Sequence, residues 1–202
     1  MNLLNEYKKA LAYFGIPEER IFDIILEYRK PHRFYHTWDY HINYMGPSII
    51  KMYNEGIITL KEKYILLATL LYHDLVYEPL NKNNELDSAD LFFKDAEENY
   101  NDPNQSTADE RLEVYNIIVG SKNHKDFDKL SKLFYDLDLE GLRTGDLSRM
   151  IEDGIRVMKE YQVYDYGLYK GGRDAVIATF KDKYPENAYN IDAYLQWLKY
   201  YK

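Results

Sequence analysis

Residues 64–79 read YILLATLLYHDLVYEP, the most apolar run of the chain followed at once by two ionisable side chains. The run predicts a helix that is buried on all sides, and Thr59 with Glu62 has the capping-box spacing that would begin it. His73 and Asp74 then lie at its buried end. Such a pair lowers stability unless an opposite charge compensates it, and a metal cation is one compensator. The alternative is an ordinary helix-end pair without a metal, in which the dipole at the C-terminus of the helix favours the imidazole of His73.

The rest of the chain also follows a helical period. The segment NLLNEYKKALAYF, residues 2–14, places its large apolar residues on one stripe, and Thr107 with Glu110 has a second capping-box spacing. We find no stretch that alternates with a period of two, as a half-buried strand would. No repeat or long linker interrupts the chain. We therefore expect an all-α, single-domain helical bundle that covers residues 1–202.

Composition narrows the classes of partner. The 202 residues are 46% hydrophobic and 16% aromatic, which is enough for a substantial core. A formal net charge of −8 disfavours binding to a nucleic-acid polymer or an acidic membrane. The absence of cysteine excludes disulfides and thiolate metal sites and is compatible with a reducing cytosol. Because we see neither a signal peptide nor a membrane span, we expect a cytoplasmic protein, and a homo-oligomer is left open.

Histidine is rare in the chain and clustered. Of the five histidines, three fall within PHRFYHTWDYH, residues 31–41. Thr37 can cap a helix that runs WDYHINYM. This would place His36 in the entering turn and His41 one turn inside the helix, so that both rings could point to one place.

Carboxylates accompany these histidines. His73 and Asp74 supply two further candidate ligands, and FYDLDLEG, residues 134–141, adds Asp136 and Asp138. Two imidazoles with two carboxylates suit a divalent ion such as Mn, Fe, Zn, Co or Ni better than the all-oxygen shells typical of Ca and Mg. We expect a divalent metal cofactor of the first kind, with Mg as a further option.

The ordered motifs resemble those of the HD superfamily of predicted metal-dependent phosphohydrolases. The motifs that carry the resemblance, over roughly residues 28–180, are RKPHRFYHTWDYHI, LLYHDLVYEP, NNELDSA, IIVGSKNH, YDLDLEGL and KEYQVYDYGLYKGGRDAV. The histidine-aspartate doublet alone is a weak signal, whereas the ordered set is specific. The first motif is also similar to the first metal motif of cyclic-nucleotide phosphodiesterases. The resemblance implies an HD-type helical core.

The resemblance also implies roles for individual residues. The metal ligands would be His41, His73, Asp74 and Asp138, where Asp138 is preferred to Asp136 because it precedes leucine. The catalytic residues would be His36, as a proton donor, and Glu85. The residues that contact substrate would be His32, Arg33, Lys122, His124, Lys159 and Arg173. Arg173 follows two glycines at a predicted helix start, a place suited to anions.

Two departures from the family pattern leave alternatives open. His36 and His41 are five positions apart, where the motif has four, and one extra residue rotates a helical side chain by about 100°. His32 and His36 have the spacing of four and are the alternative coordinating pair. Lys159 occupies a place where the family tends to have arginine, and lysine offers only a point charge.

The function that follows is hydrolysis of a phosphate ester or anhydride bond in a small, nucleotide-like substrate by a metal-activated water. Two alternatives remain. One is an HD-type di-iron oxygenase, which the shortage of a second histidine cluster disfavours. The other is a non-catalytic, metal-stabilised ligand-binding protein.

Overall fold

The protein is described by a computed structural model that covers residues 2–97, 105–162 and 165–201. Every regular element in these ranges is helical, which confirms the predicted all-α class. The α-helices are α1 (Leu3–Tyr13), α2 (Arg20–Tyr28), α3 (Asn43–Asn54), α4 (Leu60–Tyr72), α5 (Asn84–Glu97), α6 (Ala108–Gly120), α7 (Lys129–Asp138), α8 (Glu140–Thr144), α9 (Leu147–Glu160), α10 (Tyr166–Lys183) and α11 (Ala188–Tyr200). A π-helix, Trp38–Ile42, precedes α3, and a 3-10 turn, Pro185–Asn187, precedes α11. Within these described ranges, no helix has the length and apolar character needed to cross a membrane.

The chain forms two compact units. The first contains Met1–Lys30 and His36–Leu137, and the second contains Pro31–Tyr35 and Asp138–Lys202. The chain therefore passes between the units at both ends of Pro31–Tyr35 and again just before Asp138, the last residue of α7. A single domain over residues 1–202 stays a prediction.

Helix α4 is the centre of the first unit, where it packs against α1, α3 and α6. Thr59 and Glu62 form the predicted capping box, since the Thr59 side chain accepts from the Glu62 N–H and the Glu62 carboxylate accepts from the Thr59 N–H. Every residue from Ile65 to Tyr72 is buried, as expected for a helix that is apolar on all faces. Because His73 caps the C-terminus of α4, the helix carries its imidazole into the interior.

The π-helix Trp38–Ile42 begins at Thr37, as the predicted cap requires. The Thr37 hydroxyl accepts from the Tyr40 N–H at 3.0 Å. The Thr37 carbonyl accepts from the N–H groups of both His41, at 3.0 Å, and Ile42, at 3.2 Å. The bond from Ile42 joins residues five positions apart, which is the pattern of a π-helix. The element is therefore wider than the α-helical turn that was predicted.

In the second unit, α11 packs against α9 and α10. Helix α10 begins at Tyr166, because the Asp165 carboxylate accepts from the N–H groups of Gly167 and Leu168. The prediction that a helix starts at Gly171 and Gly172 is therefore wrong, since both glycines lie inside α10. An aspartate cap specifies a helix start more strongly than glycine does. Arg173 consequently lies in the middle of a helix rather than near its N-terminus.

Candidate metal centre

Two histidines from different elements meet in the interior of the first unit. His41 lies in the π-helix and His73 at the end of α4, and their exposed fractions are 3% and 1%. Their Nε2 atoms lie 3.1 Å apart. Ligand atoms that share one cation at about 2.1 Å lie roughly 3 Å from each other, so this separation suits a shared ion.

The protonation of His73 follows from its other ring nitrogen. The Nδ1 atom of His73 lies 2.9 Å from the Leu70 carbonyl oxygen. Because a carbonyl only accepts, Nδ1 carries the proton, and Nε2 of a neutral His73 ring presents its lone pair. The Asp74 Oδ2 atom lies 3.0 Å from that Nε2. Two electron-rich atoms at this distance require a proton or a cation between them, and the donor set therefore fits a metal.

Asp138 completes the group. It is the last residue of α7. His41, His73 and Asp138 each offer a ligand atom, and these atoms all lie within 4.8 Å of one another. The three residues could hold a metal ion. Asp136, the alternative from the same motif, forms a salt bridge with Lys132 one turn earlier.

His36 lies beside this group, just before the π-helix. Its Nε2 atom is 3.7 Å from the Asp74 Oδ2 atom, and its side chain is 17% exposed. The ring packs against Tyr77 with a centroid distance of 4.4 Å. The rings of His36 and His41 are 5.8 Å apart, so the five-residue spacing does not separate them. His32, from the alternative pair, is half-buried in the Pro31–Tyr35 segment of the second unit.

Three other predicted residues lie near the ends of α5 and α6. Glu85 is in the first turn of α5, and its Oε2 atom is 3.6 Å from the Lys122 Nζ atom. His124 has a positive φ of 48°, which is uncommon outside glycine, and its ring contacts the edge of Tyr135. The roles proposed for Glu85, Lys122 and His124 stay predictions.

The remaining predicted residues belong to the second unit. Arg33 is 5% exposed. The Lys159 Nζ atom lies 5.8 Å from the centre of the Phe34 ring, a cation–π distance. Arg173 lies inside α10, and its side chain is half-buried. Their contact with substrate also stays a prediction.

Glu160 is an important residue that sequence reasoning missed. It is 3% exposed, and its Oε1 atom accepts from the N–H groups of Phe34, at 2.6 Å, and Tyr35, at 2.7 Å. These bonds fix the short segment that immediately precedes His36. A glutamate at a helix end looks like a solvated charge in the sequence, and no local signal marks this pairing across 126 positions.

Tyr35 relates the same segment to Asp138. Its hydroxyl donates to the Asp138 carbonyl at 3.5 Å. Burial raises the pKa of the Tyr35 hydroxyl well above its ordinary value of 10, and the carboxylates of Asp153 and Asp138 raise it further. Tyr35 therefore remains a neutral hydrogen-bond donor at physiological pH.

No protein-family model, curated protein or solved structure matches this chain. The resemblance to the HD superfamily accordingly rests on the sequence motifs. What the structure adds is the group of His41, His73 and Asp138, with the Asp74 Oδ2 atom 3.0 Å from the His73 Nε2 atom.

Proposed function

We propose that the chain is a metal-dependent phosphohydrolase that cleaves an ester or anhydride bond in a small, nucleotide-like substrate. The observation that carries the proposal is the position of the His73 Nε2 atom, 3.0 Å from Asp74 Oδ2 and 3.1 Å from His41 Nε2. His41, His73, Asp74 and Asp138 would hold the cation. The mixture of imidazole and carboxylate favours Mn, Fe, Zn, Co or Ni over Mg.

When bound, a divalent cation supplies Lewis acidity toward water and toward a phosphoryl oxygen. His36 donates a proton to the leaving oxygen. Three features support this role: the ring is partly exposed, Tyr77 orients it, and the Asp74 carboxylate lies 3.7 Å from its Nε2 atom. A positioned proton donor of this kind contributes about 100-fold or more to a rate.

The other residues recognise the substrate. A phosphate group needs cations, and Arg33, Lys122, Lys159 and Arg173 supply them in this proposal, together with the imidazoles of His32 and His124. Glu85 orients the attacking water. Its Oε2 atom lies 3.6 Å from the Lys122 Nζ atom, so the two residues would act at the same place.

The experiment is a turnover screen with a metal-loaded protein. Release of phosphate or nucleoside is measured across nucleotides and simple phosphoesters for the wild type, His36→Gln and Asp138→Asn. Asp136→Asn is the matched control, because Asp136 lies on the same helix but pairs with Lys132. We expect Asp138→Asn to abolish turnover and His36→Gln to lower kcat about 100-fold. Asp136→Asn should retain the activity.

Two other outcomes would replace the proposal. Oxygen uptake by the iron-loaded protein, with no phosphate release on any substrate, would indicate the oxygenase. Ligand binding and metal-dependent stabilisation without any turnover would indicate the non-catalytic protein.

A further inference from the structure

The last residue of α9, Glu160, is a buried carboxylate that binds main-chain donors. It is 3% exposed, and its Oε1 atom accepts from the consecutive N–H groups of Phe34, at 2.6 Å, and Tyr35, at 2.7 Å. Taking a carboxylate out of water costs free energy, and short hydrogen bonds to the charged oxygen offset that cost. Glu160 therefore holds this stretch of backbone through specific hydrogen bonds.

The last turn of α9 also holds Phe34 at two further points. The Arg156 Nη1 atom donates to the Phe34 carbonyl at 3.4 Å, and the Lys159 Nζ atom lies 5.8 Å from the centre of the Phe34 ring. Residues 30–37, all of which the structure describes, belong to no helix. Because helical hydrogen bonds do not fix this stretch, its conformation depends on its contacts with α9.

Tyr35 connects the held segment to Asp138. Its hydroxyl donates to the Asp138 carbonyl at 3.5 Å. Tyr35 and Leu139, the residue after Asp138, also pack against the same hydrophobic core, which includes Leu142. All of these contacts lie within the second unit. The position of Tyr35 therefore helps to fix the backbone of Asp138, one of the proposed metal ligands.

His36 follows Tyr35 directly in the chain. Adjacent Cα atoms are about 3.8 Å apart, so a displacement of the Tyr35 backbone also displaces the start of His36. The distance of 3.7 Å between the His36 Nε2 and Asp74 Oδ2 atoms depends on that start. One held segment thus affects both a proposed ligand and the proposed proton donor.

We propose that Glu160 is a positioning residue of the metal centre. By holding the N–H groups of Phe34 and Tyr35, it fixes Asp138 through the Tyr35 hydroxyl and His36 through the chain. The effect on kcat rests on the proposed function, whereas the effect on a bound metal requires only the metal centre. The position needs an acceptor oxygen, which glutamine supplies and leucine lacks.

The test uses Co²⁺ as the probe, because its visible absorption spectrum reports the arrangement of its ligands. Competition with a chelating dye measures its affinity. We expect Glu160→Leu to change the spectrum and to weaken Co²⁺ binding about tenfold, as loss of a group that orients metal ligands does. Glu160→Gln should keep both properties close to those of wild type. Tyr35→Phe should change the spectrum in the same direction as Glu160→Leu, and the two substitutions together should be less than additive.

Gly154→Ala is the matched control for stability. Gly154 also lies on α9, and a Cβ there collides with the Tyr194 hydroxyl. The substitution therefore lowers Tm without removing the acceptor of the Phe34 and Tyr35 N–H groups. Its Co²⁺ spectrum and affinity should equal those of wild type at a temperature where both proteins are folded.

The outcomes separate this proposal from the proposed function. Equal spectra and affinities in wild type and Glu160→Leu, equal changes in Glu160→Leu and Gly154→Ala, or no Co²⁺ binding by wild type would each overturn the positioning role. If Glu160→Leu does not fold, Tyr35→Phe decides, and an unchanged spectrum in that variant overturns the role.

A changed spectrum in Glu160→Leu alone supports the role even if no substrate is hydrolysed. Where a hydrolysed substrate is found, Glu160→Leu should lower kcat about tenfold with KM little changed, and Glu160→Gln should restore it.

Discussion

The Nε2 atoms of His41 and His73 lie 3.1 Å apart, although 32 positions separate the two residues in the chain. The contact exists because the buried helix α4 ends at His73 and the π-helix Trp38–Ile42 turns His41 toward it. Two buried ring nitrogens at this distance share either a proton or a cation. The Asp74 carboxylate lies 3.0 Å from His73 Nε2, and Asp138 offers a ligand atom within 4.8 Å of both histidines, so that negative charge beside the two rings favours the cation.

The cap at Thr37 should matter for both stability and metal binding. Thr37→Ala removes the acceptor of the Tyr40 N–H and should lower the free energy of unfolding by about 1 kcal/mol. It should also weaken metal affinity, because the turn that it caps carries His41. Thr107→Ala removes the comparable cap of α6, which carries none of the proposed ligands, and should lower stability alone. Equal metal affinities in the two variants, measured by competition with a chelating dye, would contradict this role.

The buried pair of Lys63 and Glu6 should be a strong determinant of stability. The Lys63 Nζ atom lies 2.7 Å from Glu6 Oε2, and the side chains are only 5% and 8% exposed. Lys63→Met leaves a buried carboxylate poorly compensated and should lower the free energy of unfolding by about 3 kcal/mol. Adding Glu6→Gln should recover most of that loss. Lys9→Met removes the exposed second partner of Glu6 and should cost less than about 1 kcal/mol in urea denaturation.

Acid should destabilise the protein through three glutamates. Burial raises the pKa of Glu6, but Lys63 and Lys9 lower it more, so it lies below the ordinary 4.5. The pKa values of Glu62 and Glu110 are also lowered. Burial raises them, but hydrogen bonds within the capping boxes and interactions with lysines lower them more. A carboxyl group whose pKa is lower in the folded than in the unfolded state stabilises the fold at pH values above its unfolded pKa. This stabilisation is lost as the pH falls through the folded pKa.

The free energy of unfolding should therefore decline as the pH falls below about 4.5. Urea denaturation at a series of pH values measures the decline. In Glu6→Gln the decline should be smaller than in wild type, and an identical decline would exclude Glu6 as a contributor.

Replacing two helical glycines by alanine should change the free energy of unfolding in opposite directions. A Cβ at Gly171 on α10 meets nothing within 4 Å, so Gly171→Ala should raise the free energy of unfolding by about 0.5–1 kcal/mol. A Cβ at Gly154 on α9 collides with the Tyr194 hydroxyl, so Gly154→Ala should lower it by about 1–3 kcal/mol. Thermal denaturation compares the two variants, and a shift of the same sign in both would refute the packing at Gly154.

Local interactions explain which features were predictable. The capping boxes of α4 and α6 join residues three positions apart, so their side-chain types alone specify them. The buried end of α4 was likewise visible, because no other run combines so many apolar residues with an adjacent His73 and Asp74.

Features that periodicity does not encode, or that depend on distant partners, were not predictable. The π-turn requires the Thr37 carbonyl to accept from two N–H groups, and helical periodicity does not distinguish it from an α-turn. Glu160 acquires its role only when Phe34 and Tyr35 fold against it. Spacing does not distinguish Asp138 from Asp136, and only the resemblance to the HD motifs favours Asp138, which is the one that lies in the group with His41 and His73.

Elemental analysis of the purified protein tests the metal centre most directly. After reloading with Mn, Fe, Zn, Co or Ni and removal of loose ions, wild type and Asp136→Asn should retain about one ion per chain. His73→Gln and Asp138→Asn should retain none, and chelation should lower the Tm of wild type toward theirs. If wild type retains no ion under any of these conditions, then a proton joins His73 to Asp74, and the cluster is a structural ion pair rather than a metal centre.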